Sequence, residues 1–309
     1  MNSTEDARIK AKKSGQSGFI LVVVIWSLAL MAVLVLSFAS TARVHSQSVR
    51  NLVANGEAEA IADAGVHLAI AKLLDVSVAG LNGTARLPSK QRQWVCKIEG
   101  HGNLWITVED EGGKIDLNTA SDELLVALFR SYGNSQPQAW KLVDAVVDFR
   151  DADDLPRANG AEAADYASAK KAYGPSNRLF ESVEELDQVL GMNRDLFDRI
   201  RNVTTVYSRQ QGLDPEVTEV VFLKKIARAA SAVGEASEVA SLRPEFVTPS
   251  NAQAFTIKVT ARLERGGVFA RRAIVQISAD PSKPYAVRDW RRDDEYLRPE
   301  PGIRNAPPC

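Results

Sequence analysis

Carboxylates crowd residues 148–165: Asp148, Asp151, Asp153, Asp154, Glu162 and Asp165. From Glu109 to Ile200 the chain carries 19 acidic and 10 basic residues, a local net of −9. Carboxylates this close repel unless water solvates them or a hard cation bridges them through oxygen ligands, calcium being the usual choice. The ligands expected on this ground are Asp151, Asp153, Asp154 and Glu162, with Asp187 as a more distant donor. An EF-hand loop opening at Asp151 would put Asp153 at position 3 and Glu162 at position 12. Leu155 then fills position 5 and Pro156 stands where that loop needs glycine, so the motif is not an EF-hand. The alternative is a solvated acidic loop paired with Arg150 and Arg157.

Other chemistry is sparse. The three histidines are His45, His67 and His101, the last in a turn sequence. No Gly-x-Ser-x-Gly, His-Glu-x-x-His or phosphate-loop pattern occurs, so neither an enzyme nor an organic cofactor is expected. Cys96 and Cys309 cannot build a disulfide framework. Cys96 alternates inward with Trp94 and Ile98 and reads as a small buried apolar residue. Cys309 follows Pro307-Pro308 and reads as mobile, with one bridge between the two left open. Lys114–Ser121 followed by Asp122-Glu123-Leu124-Leu125 looks like the start of a helix-hairpin-helix module. The turns Tyr132-Gly133-Asn134-Ser135 and Gly191-Met192-Asn193 lack paired glycines, and the local net of −9 opposes phosphate binding. No nucleic-acid partner is expected, and a membrane-anchored DNA-binding protein stays a minor alternative.

The elements that position these residues begin at the N-terminus. Arg8, Lys10, Lys12 and Lys13 precede Gly18-Phe19, and an uncharged run follows from Phe19 to Ala42. Three readings compete. The apolar run is longer than the ~7–15 residues of a secretory signal, although Ser37-Phe38-Ala39 offers small residues. It suffices for a plain anchor, since about 20 residues span a bilayer. The order of basic leader, Gly-Phe junction and immediate apolar helix fits a prepilin, cut after Gly18 with the helix retained. Positive-inside bias puts the leader in the cytoplasm and the rest outside. Val23 occupies the fifth position after the junction, where pilin-like proteins carry Glu.

The apolar pattern continues through Val44, Val49, Leu52, Val53, Ile61, Ala64, Leu68, Ile70, Leu73 and Leu74. No proline falls between Phe19 and Asp75, so one helix is predicted, with Gly56 as the alternative break point. Its second half must pack on a folded domain. Gln93–Glu99 and Leu104–Glu109 alternate around Gly100-His101-Gly102-Asn103, a hairpin pattern. Ala254–Leu263 and Val268–Ile277 repeat it around Gly266-Gly267. Isolated hairpins are marginal in water, so the two predict one antiparallel sheet covered by residues 44–75. Between them, helices are predicted over Asp122–Phe129, Ala139–Phe149, Glu162–Ala172, Glu181–Leu190, Asp195–Arg201 and Val217–Ala232. Pro281, Pro284, Pro299, Pro301, Pro307 and Pro308 mark an irregular tail.

With these pieces in place the chain resembles the type II secretion minor pseudopilin K family (general secretion pathway protein K). The matching residues are Gly18-Phe19 without Glu at +5, Asp63-Ala64-Gly65-Val66, Val108–Asn118, Asp148–Asp154, Asn159–Glu162, Phe180–Leu186 and Trp290. The fold this implies is α+β: a long pilin-like N-terminal helix on an antiparallel sheet, with a large, mostly α-helical inserted domain. The expected organisation is a leader over 1–18, a transmembrane helix over 19–42, and a pilin-like domain over 43–110 and 246–290. The insertion then covers 111–245 and the tail 291–309. The resemblance also implies a structural calcium in the helical domain, prepilin peptidase cutting between Gly18 and Phe19, and N-methylation of Phe19. The implied partners are other minor pseudopilins, the major pseudopilin and an inner-membrane assembly platform. The implied location is the inner membrane, single-pass, with the C-terminal domain in the periplasm. The implied role is at the tip of a pseudopilus that exports folded proteins across the outer membrane; a type IV pilus tip subunit is the runner-up. Val23 fits a tip. In pilin-like filaments the +5 Glu of an incoming subunit meets the N-terminal amine of the subunit before it, and a first subunit has none before it.

Overall fold

The computed structural model describes residues 16–80, 93–231, 242–278, 280–296 and 307–309. The predicted leader lies almost wholly outside them, its four basic residues included. The chain divides into two compact units, residues 1–57 and 58–309.

Helix α1 runs Gln16–Gly80 without a break at Gly56. In the first unit its apolar side chains are exposed, from Phe19 through Phe38 to Val44, Val49, Leu52 and Val53. Among the described residues it is the one helix long and apolar enough to cross a membrane.

In the second unit, strands β1 (Gln93–Ile98), β2 (Gly102–Asp110), β5 (Ala254–Leu263), β6 (Val268–Ile277) and β7 (Tyr285–Arg292) form one sheet in the order β1-β2-β5-β6-β7. Every neighbouring pair is antiparallel. The two predicted hairpins are its β1–β2 and β5–β6 pairs, and β2 against β5 joins them, with Ile106 opposite Val259. Strict alternation fixes the register, because a one-residue slip would turn every apolar side chain to the other face. One face carries Leu104, Ile106, Val108, Ile257, Val259, Ala261 and Val275, packed with Ala58, Ala62, Val66, Ala69, Ile70 and Leu73 of α1. The helix contributes mostly small residues, which brings it close to the strands. A Cβ at Gly65 would stand 2.8 Å from Val259 Cγ1. Arg271 fixes the helix's rotation, its guanidinium donating to Asp63 at 2.6 Å and Glu59 at 2.7 Å. Helix packing was expected from residue 44, but burial begins at Ala58. A ten-residue strand spans about 34 Å, enough to cover roughly 23 helical residues.

The chain between β2 and β5 builds a second core around Leu124, Leu128, Phe129, Val146, Phe149 and Phe197. It holds the short parallel pair β3 (Ile115–Asp116) and β4 (Thr204–Thr205). Its helices are α2 (Asp122–Ser131), α3 (Gln136–Arg150), α4 (Ala163–Ser168), α5 (Arg194–Ile200) and α6 (Val220–Ala230). Ser121 caps α2, accepting from the Leu124 N–H at 3.3 Å.

Four expectations need correction. The helix predicted over Glu162–Ala172 stops at Ser168, because Lys170 adopts a left-handed φ of 58° that no α-helix continues. Glu181–Leu190 is a 3₁₀ turn over Val183–Gln188, where Glu185 accepts from the N–H groups of Glu181 and Ser182. The tail is not irregular after Pro281. Pro281 lies in a turn closed by the Lys283 N–H on the Asp280 carbonyl, the Pro284 carbonyl accepts from the Ser278 N–H, and β7 follows. Its charged Arg288, Asp289, Arg291 and Arg292 hid it as a strand, yet such charges suit a sheet edge. Cys309 is not loose either: it is disulfide-bonded to Cys96.

Candidate cation-binding loop

The acidic loop hangs from α3. Residues four apart share a helix face, so Asp144 and Asp148 point the same way. Asp148 is fully buried and accepts from the Arg157 N–H at 3.1 Å and the Ala161 N–H at 2.9 Å. Asp144 accepts from the Asn159 backbone at 3.1 Å and its side chain at 2.9 Å. The Arg157 guanidinium pairs with Asp122 at 2.8 Å and reaches Asp144 at 3.5 Å. Gly160 is required here, since a Cβ would sit 1.9 Å from Asp148 Oδ2. These bonds fold residues 157–161 back against α3 and bring Glu162 over the end of that helix.

At that end Asp151 is the C-cap of α3, its N–H on the Val147 carbonyl at 3.0 Å. Asp153 accepts from the Leu155 N–H at 2.9 Å, the local turn that aspartate favours. One carboxylate oxygen each from Asp151, Asp153 and Glu162 lies within 4.8 Å of the others. Three of the four residues expected as ligands therefore meet. The fourth, Asp154, accepts from Asn177 Nδ2 at 3.0 Å. Asp187 faces Arg194 at 3.2 Å. Asp165 accepts from the Glu162 N–H at 3.0 Å and so serves the start of α4.

The electrostatics set this group apart from an ordinary solvated loop. Both oxygens of Glu162 and Oδ1 of Asp151 are buried without a hydrogen-bond partner among the described residues. Burial, and then the charges of Asp148, Asp151, Asp154 and Asp153, push the Glu162 carboxyl up to about 7. Asp151 is raised too, by burial first and then by Asp153 and Asp148. The expected arginine partners lie elsewhere: Arg150 donates to the Leu117 carbonyl, and Arg157 pairs with Asp122 and Asp144. Buried carboxylates left unpaired are costly, so such a group either holds protons or takes a cation. Asn177 was missed in the sequence. Its left-handed φ of 47° and its bonds to the Asp153 carbonyl and Asp154 pin the loop from 23 residues downstream.

Comparison with known proteins places this loop inside a described family region. Residues 103–209 match the family model for type II secretion system protein K. Protein K of Pectobacterium carotovorum subsp. carotovorum is 37% identical over 73 residues, 24% of this chain and 22% of that protein. Protein K of Klebsiella pneumoniae is 26% identical over 199 residues, 60% of this chain and 61% of that protein. The resemblance to protein K is borne out. The matched segments span less than two thirds of either relative. The crystal structure of the GspK–GspI–GspJ complex from enterotoxigenic Escherichia coli contains a chain of similar fold. It matches with a TM-score of 0.56 at 13% identity, covering 82% of this chain and 99% of that one. At that identity the likeness carries the fold, a long N-terminal helix with an antiparallel sheet and added helices. The protein K model begins in β2 and ends after β4, so it takes in the acidic loop.

Proposed function

We propose that this chain is a minor pseudopilin that begins a type II secretion pseudopilus from the inner membrane. The observation that carries the reading is the combination of one fold likeness over 82% of the chain and a protein K match across residues 103–209. Prepilin peptidase would cut between Gly18 and Phe19, and Phe19 would be N-methylated. The apolar helix would anchor the chain once, with residues 43–309 in the periplasm. Residues 43–110 and 246–290 would form the pilin-like part and 111–245 the insertion. The partners would be other minor pseudopilins, the major pseudopilin and the assembly platform, since the GspK relative is found with GspI and GspJ. Mass mapping of membrane-extracted protein tests the first step: a mature chain starting at methylated Phe19 is expected, and one starting at Met1 or Ser40 rejects it. Co-purification with the two other minor pseudopilins tests the partnership.

We further propose that the loop holds a structural calcium. Asp151, Asp153 and Glu162 would supply oxygen ligands, and their unpartnered buried oxygens fit a hard cation. Calcium would offset the burial and the neighbouring charges that now lift Glu162. Asp144, Asp148 and Gly160 only position the loop. Calorimetry on the full chain in detergent decides it: no heat with calcium, together with melting that EDTA leaves unchanged, removes the metal.

A further inference from the structure

Among the described strands, β1 pairs with β2 alone. Residues 307–309 lie along its other side. The Lys97 N–H donates to the Pro307 carbonyl at 2.7 Å, and the Cys309 N–H donates to the Lys97 carbonyl at 3.1 Å. Lys97 and Pro308 thus form a parallel bridge. The residue next to Lys97 is Cys96, disulfide-bonded to Cys309 across 213 positions of sequence.

We propose that the Cys96–Cys309 bond is a redox-set lock on this sheet edge. Oxidised, it holds residues 307–309 over β1 as a short guard strand; reduced, it releases them and leaves the Lys97 backbone groups to solvent. Two hydrogen bonds do not offset the entropy of ordering three residues, so the guard needs the covalent tether. In a parallel bridge the central residue turns its own N–H and carbonyl outward, and here that residue is Pro308. It has no N–H, so the guard offers a further strand no donor at that position. An open strand edge invites pairing with other chains, and this combination blocks it at Lys97.

The chemistry is thiol–disulfide exchange with a disulfide-bearing oxidant. One cysteine thiolate attacks the oxidant's S–S bond, forming a mixed disulfide and expelling one thiolate. The second cysteine attacks that mixed disulfide and expels the other, so two electrons pass from the cysteine pair to the oxidant. The cysteines' two protons end on the oxidant's thiols or in solvent. The lock depends on neither the membrane segment nor the acidic loop, so it stands or falls apart from the pseudopilin reading.

Amide hydrogen exchange on the full chain in detergent micelles tests it, with peptide mapping under non-reducing conditions. Three samples are compared: oxidised protein, phosphine-reduced protein, and Cys309→Ser, which leaves the buried Cys96 in place. The oxidised sample is expected to show the 96–309 cross-link. In the other two, the Lys97 amide should exchange about tenfold faster or more while α2 amides keep their protection. Free thiols in the oxidised sample overturn the proposal. So does Lys97 protection that survives reduction. Protection lost equally across the whole sheet also overturns it, since the bond would then be a general staple.

Discussion

At the scale of single residues, Glu162 is the most informative group. Its folded pKa of about 7 lies above the ordinary 4.5. Between those values the native state holds more protons than the unfolded chain, so stability falls as pH rises through that window and levels off above it. Metal-free protein should therefore melt at a higher temperature near pH 5 than near pH 7.5. Glu162→Gln should remove much of that decline and raise the pH 7.5 melting temperature. Calcium should stabilise the parent protein at pH 7.5 and leave the variant nearly unchanged, because a neutral amide neither repels its neighbours nor binds the ion as a carboxylate does. Thermal melts of both proteins with calcium and with EDTA check this; equal calcium shifts would contradict the ligand role. The cluster itself was legible, because acidic residues close in sequence stay close in a loop. Its pairing was not. Arg157 turns to Asp122, 35 residues upstream, and Asn177 arrives from 23 residues downstream of Asp154. Neither choice leaves a mark in local spacing.

At the scale of elements, two glycines show how close packing overrides propensity. Replacing Gly65 by Ala favours an isolated helix by up to about 1 kcal/mol. Its new methyl would lie 2.8 Å from Val259 Cγ1, and overpacking costs about 1–3 kcal/mol. The Gly65→Ala chain should thus be destabilised in chemical unfolding, although its helix is intrinsically better. Gly160→Ala has no such compensation. Its methyl would fall on Asp148 Oδ2, so the loop must leave α3, and the calcium response should vanish while α2 and α3 stay folded. Calorimetry alongside far-UV circular dichroism separates the two outcomes. The hairpins were readable, because a period-two pattern between glycine turns has few alternatives. Strand β7 was not, because an edge strand exposes its alternate residues and three arginines mask the pattern. Helix α4 was overextended for a similar reason: Ala167 and Ala169 favour helix, and the chain turns away at Lys170 so that the Tyr166 hydroxyl can accept from the Leu190 N–H.

At the scale of the whole molecule, the two cores of residues 58–309 are joined by buried charge. Glu111 accepts from Lys114 Nζ at 2.6 Å and Thr256 Oγ1 at 2.6 Å, and from the Thr205 hydroxyl on its other oxygen. One carboxylate therefore ties the end of β2 to β4 and β5. Glu111→Ala would leave the buried Lys114 ammonium with Glu109, 3.6 Å away, as its remaining carboxylate partner, so the loss should fall at or below the lower end of the about 3–5 kcal/mol that a fully broken buried pair costs. Equilibrium unfolding should register that loss, whereas a change under about 1 kcal/mol would mean water takes the carboxylate's place. Assembly sets the last expectation. Cleavage after Gly18 would put a charged amine on Phe19 within an apolar helix, where an isolated charge is costly. On the proposed reading, the next subunit's Glu meets that amine, while Val23 offers nothing to a subunit ahead. Val23→Glu would supply a carboxylate near the chain's own N-terminus. It should let this subunit accept a predecessor, or satisfy its own amine and refuse a successor. Either way the mature protein should still be inserted and processed, while filament length and secretion change. Secretion assays and filament imaging in a strain lacking the natural subunit measure both. Wild-type values in the two assays would leave Val23 as one more lipid-facing side chain and remove the reason for placing this subunit first.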